Sequence, residues 1–354
     1  MCPDGSLSKA EINQQPQVWQ ETLETTDTRR GEIERFLTNS ACSQAIFYGG
    51  GSSYYLAESA ASTFQKLTGV SSRAVPSSEL IFFPESILSK KGKTVLFPIS
   101  RSGETTETIQ ATKSTKERFD AVSFGISCHP HSKLLENVDF SLALPESAEE
   151  SVVMTKSYTS MLLALQRVAA TYGGDEVAFR KLEELPQEGR EILKKAPLLA
   201  EEILKDRNWN HFVFLGGGPL YGLASEAMLK MKEMALENSE VFHPLEYRHG
   251  PKSVAEEGSL ITLLGSSTAS KQEAALAEEL RGLGAKIFAM APEEEFATKL
   301  DHQLTLASTL GDHLRGILYL PCLQMLSLER ALLKGLNPDE PRNLDQVVKL
   351  EDES

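Results

Sequence analysis

At 354 residues, with 41% hydrophobic and 24% charged residues, the chain has an ordinary globular composition and length enough for two domains. Its net charge of −14 argues against nucleic acid as a partner, because backbone binding needs a concentration of Lys and Arg, and no basic stripe occurs. Cys2, Cys42, Cys128 and Cys322 are scattered without CxxC spacing, so buried free thiols are expected instead of zinc ligands or disulfides. No charged-then-apolar leader opens the chain and no apolar run approaches eighteen residues; a cytoplasmic protein with no membrane partner is therefore expected.

The first predicted element is a helix over Leu7 to Leu37, with Ser8 and Glu11 spaced as a capping box. Short apolar strands follow at Ala45–Tyr48, Thr94–Ile99, Ala121–Ser127 and Phe140–Leu144, separated by helix-like stretches. Residues 176–206 are rich in Glu, Lys and Leu and read as a helix interrupted once around Pro186–Gly189. A second strand series comes at Phe212–Leu215, Leu260–Leu264, Lys286–Ala291 and Gln303–Leu306, and the polar segment from Gly335 reads as an extended arm. Continuous apolar strands alternating with helices imply parallel sheets covered on both faces. The fold expected is α/β, two tandem doubly wound domains of the flavodoxin-like kind. The expected boundaries are a helical segment 1–40, a first domain 41–172, a helical linker 173–208, a second domain 209–334 and a C-terminal tail 335–354.

The two series are copies. Phe47–Ala60 (FYGGGSSYYLAESA) and Phe214–Ala227 (FLGGGPLYGLASEA) share eight of fourteen residues at an offset of 167. Each is a strand, three glycines and a helix, the arrangement in which backbone amides at a helix N-terminus can approach an anion. The first copy carries Ser52 and Ser53 where the second has Pro219 and Leu220, so one turn is equipped as a cradle. Ser100-Arg101-Ser102-Gly103-Glu104-Thr105, after the next predicted strand, adds a second cluster of hydroxyls at a strand-to-helix turn. Two such turns on neighbouring strands suit a sugar phosphate, the small-molecule partner expected; neither has the Gly-Lys-Ser/Thr ending of a nucleotide phosphate loop. In the second half Glu226, Lys230 and Glu233 lie at spacings of four and three, on one face of an otherwise apolar helix. They read either as an internal ion-pair ladder or as a proton-transferring carboxylate beside an ammonium.

GGGSS (49–53), SRSGETTET (100–108), MTKSYTS (154–160) and LEYRHGPKS (245–253), in this order within two glycine-turn repeats, resemble the double-domain sugar isomerase (SIS) family. The resemblance runs from about Ile46 to Lys349. It implies phosphate contacts at Ser53, Ser100, Arg101, Ser102 and Thr105, with Ser52 beside them, although Arg101 replaces the Gln of glucosamine-6-phosphate synthase. It implies that Glu233 moves a proton between C1 and C2, that His249 opens the sugar ring, and that Lys230 assists. It also implies a homodimer in which His249 reaches a neighbouring subunit's site. No metal or organic cofactor is called for.

Within the family, the segment before Ile46 is too short for the synthase's glutaminase domain, and its imine-forming lysine corresponds here to Gln346. Lys349, three residues on, has no assignable role. The opening Glu11–Trp19 and the segment Tyr247–Ser253 look more like the tagatose-6-phosphate ketose/aldose isomerase branch, which includes amino-sugar-phosphate deaminases. The expected reaction is isomerisation and deamination of a hexosamine 6-phosphate. The alternatives are a fructosamine-6-phosphate deglycase and a non-catalytic phosphosugar sensor.

Overall fold

The computed structural model describes residues 4–89, 92–205, 208–292 and 300–347. Cys2 and Lys349 lie outside the described residues. The chain divides into two compact units, one of residues 17–183 with 345–354 and the other of residues 1–16 with 184–344. The boundary near residue 16 falls inside a single helix, Ser6–Ser40.

The first unit holds β1 (Cys42–Gly49), β2 (Ser71–Pro76), β3 (Lys93–Pro98), β4 (Ala121–Ser127) and β5 (Phe140–Ala143), in the spatial order β2-β1-β3-β4-β5. Every pairing is parallel. Aromatic side chains of β1, β3, β4 and β5 pack together: the Phe47 and Phe97 rings stack at 4.3 Å and Phe124 and Phe140 at 4.7 Å. The helices Ser52–Thr68 and Lys156–Gly173 pack side by side. Fully buried Trp19 ties the long first helix to the second of these by donating to the Thr159 hydroxyl at 2.8 Å.

The second unit repeats this plan with β6 (His211–Gly216), β7 (Ser239–Phe242), β8 (Ser259–Leu264), β9 (Lys286–Pro292) and β10 (His302–Leu306). Its order, β10-β9-β8-β6-β7, is the same doubly wound arrangement read from the other edge, and all its pairings are parallel. Val213, Leu215, Ile261, Leu263, Ile287 and Ala289 from its central strands form one apolar cluster with Leu276 and Leu280 of the Ser270–Gly282 helix. The sequence repeat is thus a repeat of architecture, and all eight expected strands are present.

The structure corrects the sequence reading in four places. Edge strands β2 and β7 were not expected, because SSRAVP and SEVF lack the apolar run that marks a strand buried on both faces. The interruption in residues 176–206 is the single turn Leu182–Glu184, after which Pro186 occupies the first turn of the helix Leu185–Leu204, where its missing N–H costs nothing. The stretch Asp312–Leu333 is 22 residues long and apolar enough to meet the composition of a membrane-crossing helix. It is mostly buried and is broken by the turn Gly316–Tyr319, as befits a core element.

The fourth correction concerns the helix start. Ser8 lies inside the helix, and the cap comes from far along the chain: the Asp339 carboxylate accepts from the Leu7 amide at 3.1 Å, the Ser8 amide at 2.8 Å and the Ser8 hydroxyl at 2.7 Å. Asn337 adds an acceptor for the Gly5 amide at 3.1 Å. Residues 337–339 therefore anchor the helix start. Replacing Asp339 with Ala should lower the unfolding free energy by about 1 kcal/mol, as loss of an N-cap does, measured as a shift of the urea midpoint.

Candidate functional site

In the first unit, β1 and β3 are neighbours, and each ends in one of the hydroxyl-bearing turns. The Ile99 amide donates to the Tyr48 carbonyl at 2.9 Å, which holds the two turns side by side. Gly49 permits this approach, since a Cβ there would lie 2.6 Å from the Ser53 Cβ and 2.9 Å from the Ile99 carbonyl. Gly51 precedes the helix with φ 54, a conformation that L side chains rarely adopt. Ser52 and Ser53 then form the first turn of the Ser52–Thr68 helix, both buried, with the Ser53 hydroxyl 4.0 Å from the Met154 sulfur.

On the second turn the Ser100 and Thr105 hydroxyls face one another at 3.0 Å, and Ser100 Oγ also accepts from the Gly103 amide at 3.0 Å. Ser102 Oγ accepts from the Glu104 amide at 3.2 Å. Thr105 stands at the N-terminus of the Thr106–Arg118 helix, so the helix dipole favours negative charge here. The structure therefore brings Ser52, Ser53, Ser100, Ser102 and Thr105 to adjacent strand ends of one sheet. Arg101 is there too, but its side chain turns to Glu149, with Nη1 3.6 Å from the carboxylate.

Glu149 was not singled out by the sequence. Its side chain is fully sealed and accepts from the Thr155 amide at 2.6 Å, the Thr155 hydroxyl at 2.7 Å, the Ser157 amide at 3.3 Å and the Ser157 hydroxyl. It thereby fixes the start of the Lys156–Gly173 helix, which begins within the motif MTKSYTS. A signal existed: an acidic residue a few positions before a Thr/Ser-rich helix start is a ready acceptor for its amides.

The corresponding turn of the second unit follows β8, and its donors already have acceptors. The Ser266 amide and hydroxyl donate to Glu273 at 2.8 and 2.9 Å, and the Ser267 amide donates to Asp312 at 3.0 Å. Arg315 pairs with Asp312 at 2.5 Å and donates to the Ser267 hydroxyl at 2.9 Å. Carboxylates of the protein thus stand where an anionic ligand would be held, which separates this turn from its counterpart in the first unit.

The same unit carries the acid–base candidates on the helix Tyr221–Ala235. Lys230 Nζ lies 3.4 Å from Glu226 and is hydrogen-bonded to Glu233. Exposure grades along the ladder: the Glu226 side chain is 0% exposed, Lys230 1% and Glu233 19%. Burial alone would push the Lys230 ammonium down, but the two carboxylates outweigh it and hold its pKa above the ordinary value. The three side chains form one array, a sealed pair at its inner end and a carboxylate that meets solvent at its outer end.

His249 is exposed at the end of the turn Glu246–Arg248, and its amide donates to the Glu246 carbonyl at 2.9 Å. Arg248 and Lys252, on either side of it, both pair with Glu279, the first at 2.7 Å. These pairs hold the Glu279 carboxylate below the ordinary range, chiefly through its bond to Lys252. Gly250 between them has φ 132, which lets the loop turn sharply after the imidazole.

Among the described residues, no group of three or more His, Cys, Asp or Glu side chains could hold a metal ion. Cys42, Cys128 and Cys322 are free and buried, and burial pushes their thiols up to about 11, 12 and 12, so they are poor nucleophiles.

Comparison with known proteins agrees with the fold. A family model described as SIS domain matches twice, over residues 40–170 and 207–333. A glucosamine-6-phosphate deaminase structure from Thermotoga maritima is 30% identical, with a TM-score of 0.77, over 93% of this chain and 99% of that one. The tagatose-6-phosphate ketose/aldose isomerase of Escherichia coli is 24% identical with a TM-score of 0.84, covering 95% of both chains, and shows the shared fold. The isomerizing glutamine–fructose-6-phosphate aminotransferase of Methanothermobacter thermautotrophicus is 26% identical over 96% of this chain and 57% of its own length. That of Thermus thermophilus is 30% identical over 73% of this chain and 44% of its own length. The chain spans about half the length of the curated relatives it matches.

Proposed function

Because the chain belongs to the SIS family of phosphosugar isomerases, we propose that it isomerises and deaminates a hexosamine 6-phosphate, giving a ketohexose 6-phosphate and ammonia. The observation that carries this reading is the graded ladder, in which Glu233 is the carboxylate open to solvent and is backed by the sealed Lys230 and Glu226. A carboxylate so backed can take a proton from one carbon and return it to the next.

In the proposed reaction the Ser52, Ser53, Ser100, Ser102 and Thr105 groups bind the phosphate, and His249 opens the ring by moving a proton from O1 to the ring oxygen. Glu233 removes the C2 proton of the open aldose, leaving an enamine across C1 and C2. Return of the proton to C1, with the amine giving a proton to O1, leaves a hydroxymethyl group at C1 and an imine at C2. Water adds there, the C–N bond breaks, and ammonia leaves, so that hexosamine phosphate and water become ketose phosphate and ammonia. Lys230 holds the Glu233 carboxylate in place through the hydrogen bond it donates. The deaminase of Thermotoga maritima, similar over nearly its full length, supports the amino-sugar assignment. Gln346 supports it further, since an amide cannot form the imine by which the synthase holds an open ketose.

The exposed position of His249 suits a homodimer in which this imidazole serves a neighbouring subunit. The cytoplasm is the compartment proposed, in keeping with three unpaired cysteines among the described residues.

Incubation with glucosamine, galactosamine and fructosamine 6-phosphates, following ammonia and ketose phosphate together, tests the assignment. Equimolar release of both from a hexosamine phosphate is the expected result. Release of a free amino acid from a fructosamine phosphate, without ammonia, would replace it with a deglycase, and binding without turnover would replace it with a sensor.

A further inference from the structure

Arg101 is a cation on the phosphate turn, yet it is already engaged. Its side chain is 10% exposed, with Nη1 3.6 Å from Glu149 and donating to the Ser151 carbonyl at 3.4 Å. Nη2 donates to the Gln346 carbonyl at 3.3 Å. Its backbone is held as well, since the Arg101 carbonyl accepts from the Cys128 amide at 3.1 Å and the Ser127 hydroxyl at 3.0 Å. On the other side of the contact, the Gln346 side-chain amide donates to the Glu150 carbonyl at 2.7 Å and the Ser151 carbonyl at 3.2 Å. One guanidinium therefore joins three stretches: the turn after β3, the capped start of the Lys156–Gly173 helix, and the segment around Gln346.

We propose that Arg101 is a positioning residue that clasps the phosphate turn to Glu149 and to the Gln346 segment, and that it does not itself contact the substrate phosphate. Swinging it toward an anion would leave the fully sealed Glu149 without its cation, and a buried carboxylate stripped of its partner is strongly unfavourable. A planar guanidinium with several donors can reach a carboxylate and two carbonyls together, whereas the Gln found at this position in the synthase carries no charge to balance Glu149. The clasp makes the affinity of the turn for an anion depend on the docking of Gln346, and the docking of Gln346 depend on the anion. This rests on the phosphosugar reading above.

The test uses the full chain with Arg101→Met, Gln346→Ala and the double variant, and Arg101→Lys as the charge-retaining control. Hydrogen exchange of peptides covering residues 343–347 and 150–157 reads the clasp without reference to turnover, and calorimetry with fructose 6-phosphate reads affinity. Arg101→Met should speed exchange in both peptides and weaken fructose 6-phosphate binding roughly tenfold. Gln346→Ala should weaken binding in the same direction, and the double variant should bind no worse than Arg101→Met alone, because both remove one device. Arg101→Lys should recover exchange protection at 150–157, where the charge matters, more than at 343–347. Unchanged exchange in Arg101→Met, or losses that add in the double variant, would overturn the clasp and make the guanidinium a direct phosphate ligand. A wild-type protein that failed to bind fructose 6-phosphate would remove the functional reading, while the exchange measurements would still decide whether Arg101 ties the three stretches together.

Discussion

Glu233→Gln should retain binding of fructose 6-phosphate within a few-fold and lose turnover by a factor of about 10²–10⁴, the usual worth of a positioned general base. The amide has nearly the volume of the carboxylate and can still accept a hydrogen bond from Lys230, so the helix should keep its geometry. What it cannot do is take a proton from carbon. The measurement is kcat and KM with a hexosamine 6-phosphate, together with exchange of the C2 proton with solvent deuterium, which reports the proton-transfer step apart from ammonia release. A variant that still exchanged deuterium at the wild-type rate would remove Glu233 from the reaction. One that lost binding and turnover together would show that the residue supports the structure instead.

The assignment of Glu233 over Glu226 shows where sequence reasoning reached its limit. Spacings of four and three put both carboxylates and Lys230 on one helical face, and no pattern in residues 221–235 says which end of that face is sealed. Exposure supports the choice of Glu233 that the resemblance implied, because only the fold determines what covers each turn of the helix. The strands of both sheet interiors were legible because parallel strands covered on both faces must be continuously apolar. Strands β2 and β7 escaped because SSRAVP and SEVF carry no continuous apolar run, whereas the other two edge strands, β5 and β10, were read. The glycine turns were legible because close backbone approach leaves few alternatives to glycine. Asp312 and Asp339 were not, because each carboxylate serves donors through contacts set by tertiary structure: Asp312 meets Ser267 from 45 residues away and Asp339 meets Ser8 from 331. The clearest loss was the difference between the two anion turns. In the sequence it rested on Ser52 and Ser53 against Pro219 and Leu220, whereas the structure adds that carboxylates of the protein occupy the second unit's turn after β8.

Lys230→Met should destabilise the fold by about 3–5 kcal/mol at neutral pH, the range for removing one partner of a buried ion pair. Methionine fills most of the space of the lysine stem, so the loss is electrostatic more than steric. It leaves the Glu226 carboxylate, 0% exposed, without the ammonium that stood 3.4 Å away. The pH dependence separates this cause from a packing defect. In the wild-type chain the folded Lys230 pKa is raised above its ordinary value of 10.5, so its stabilisation is fully present below that value and is lost only as pH rises through the higher folded pKa. Between about pH 4 and 9 the lysine thus contributes a constant amount. In the variant Glu226 should be the group that titrates: its buried carboxyl should hold a proton to higher pH than in the unfolded chain, so the penalty should shrink as pH falls toward about 4, where both states are protonated. Urea unfolding of both proteins across this interval supplies the test. A stability difference that stayed flat over the whole interval would mean that the variant suffers from altered packing and that the Glu226–Lys230 pair contributes little.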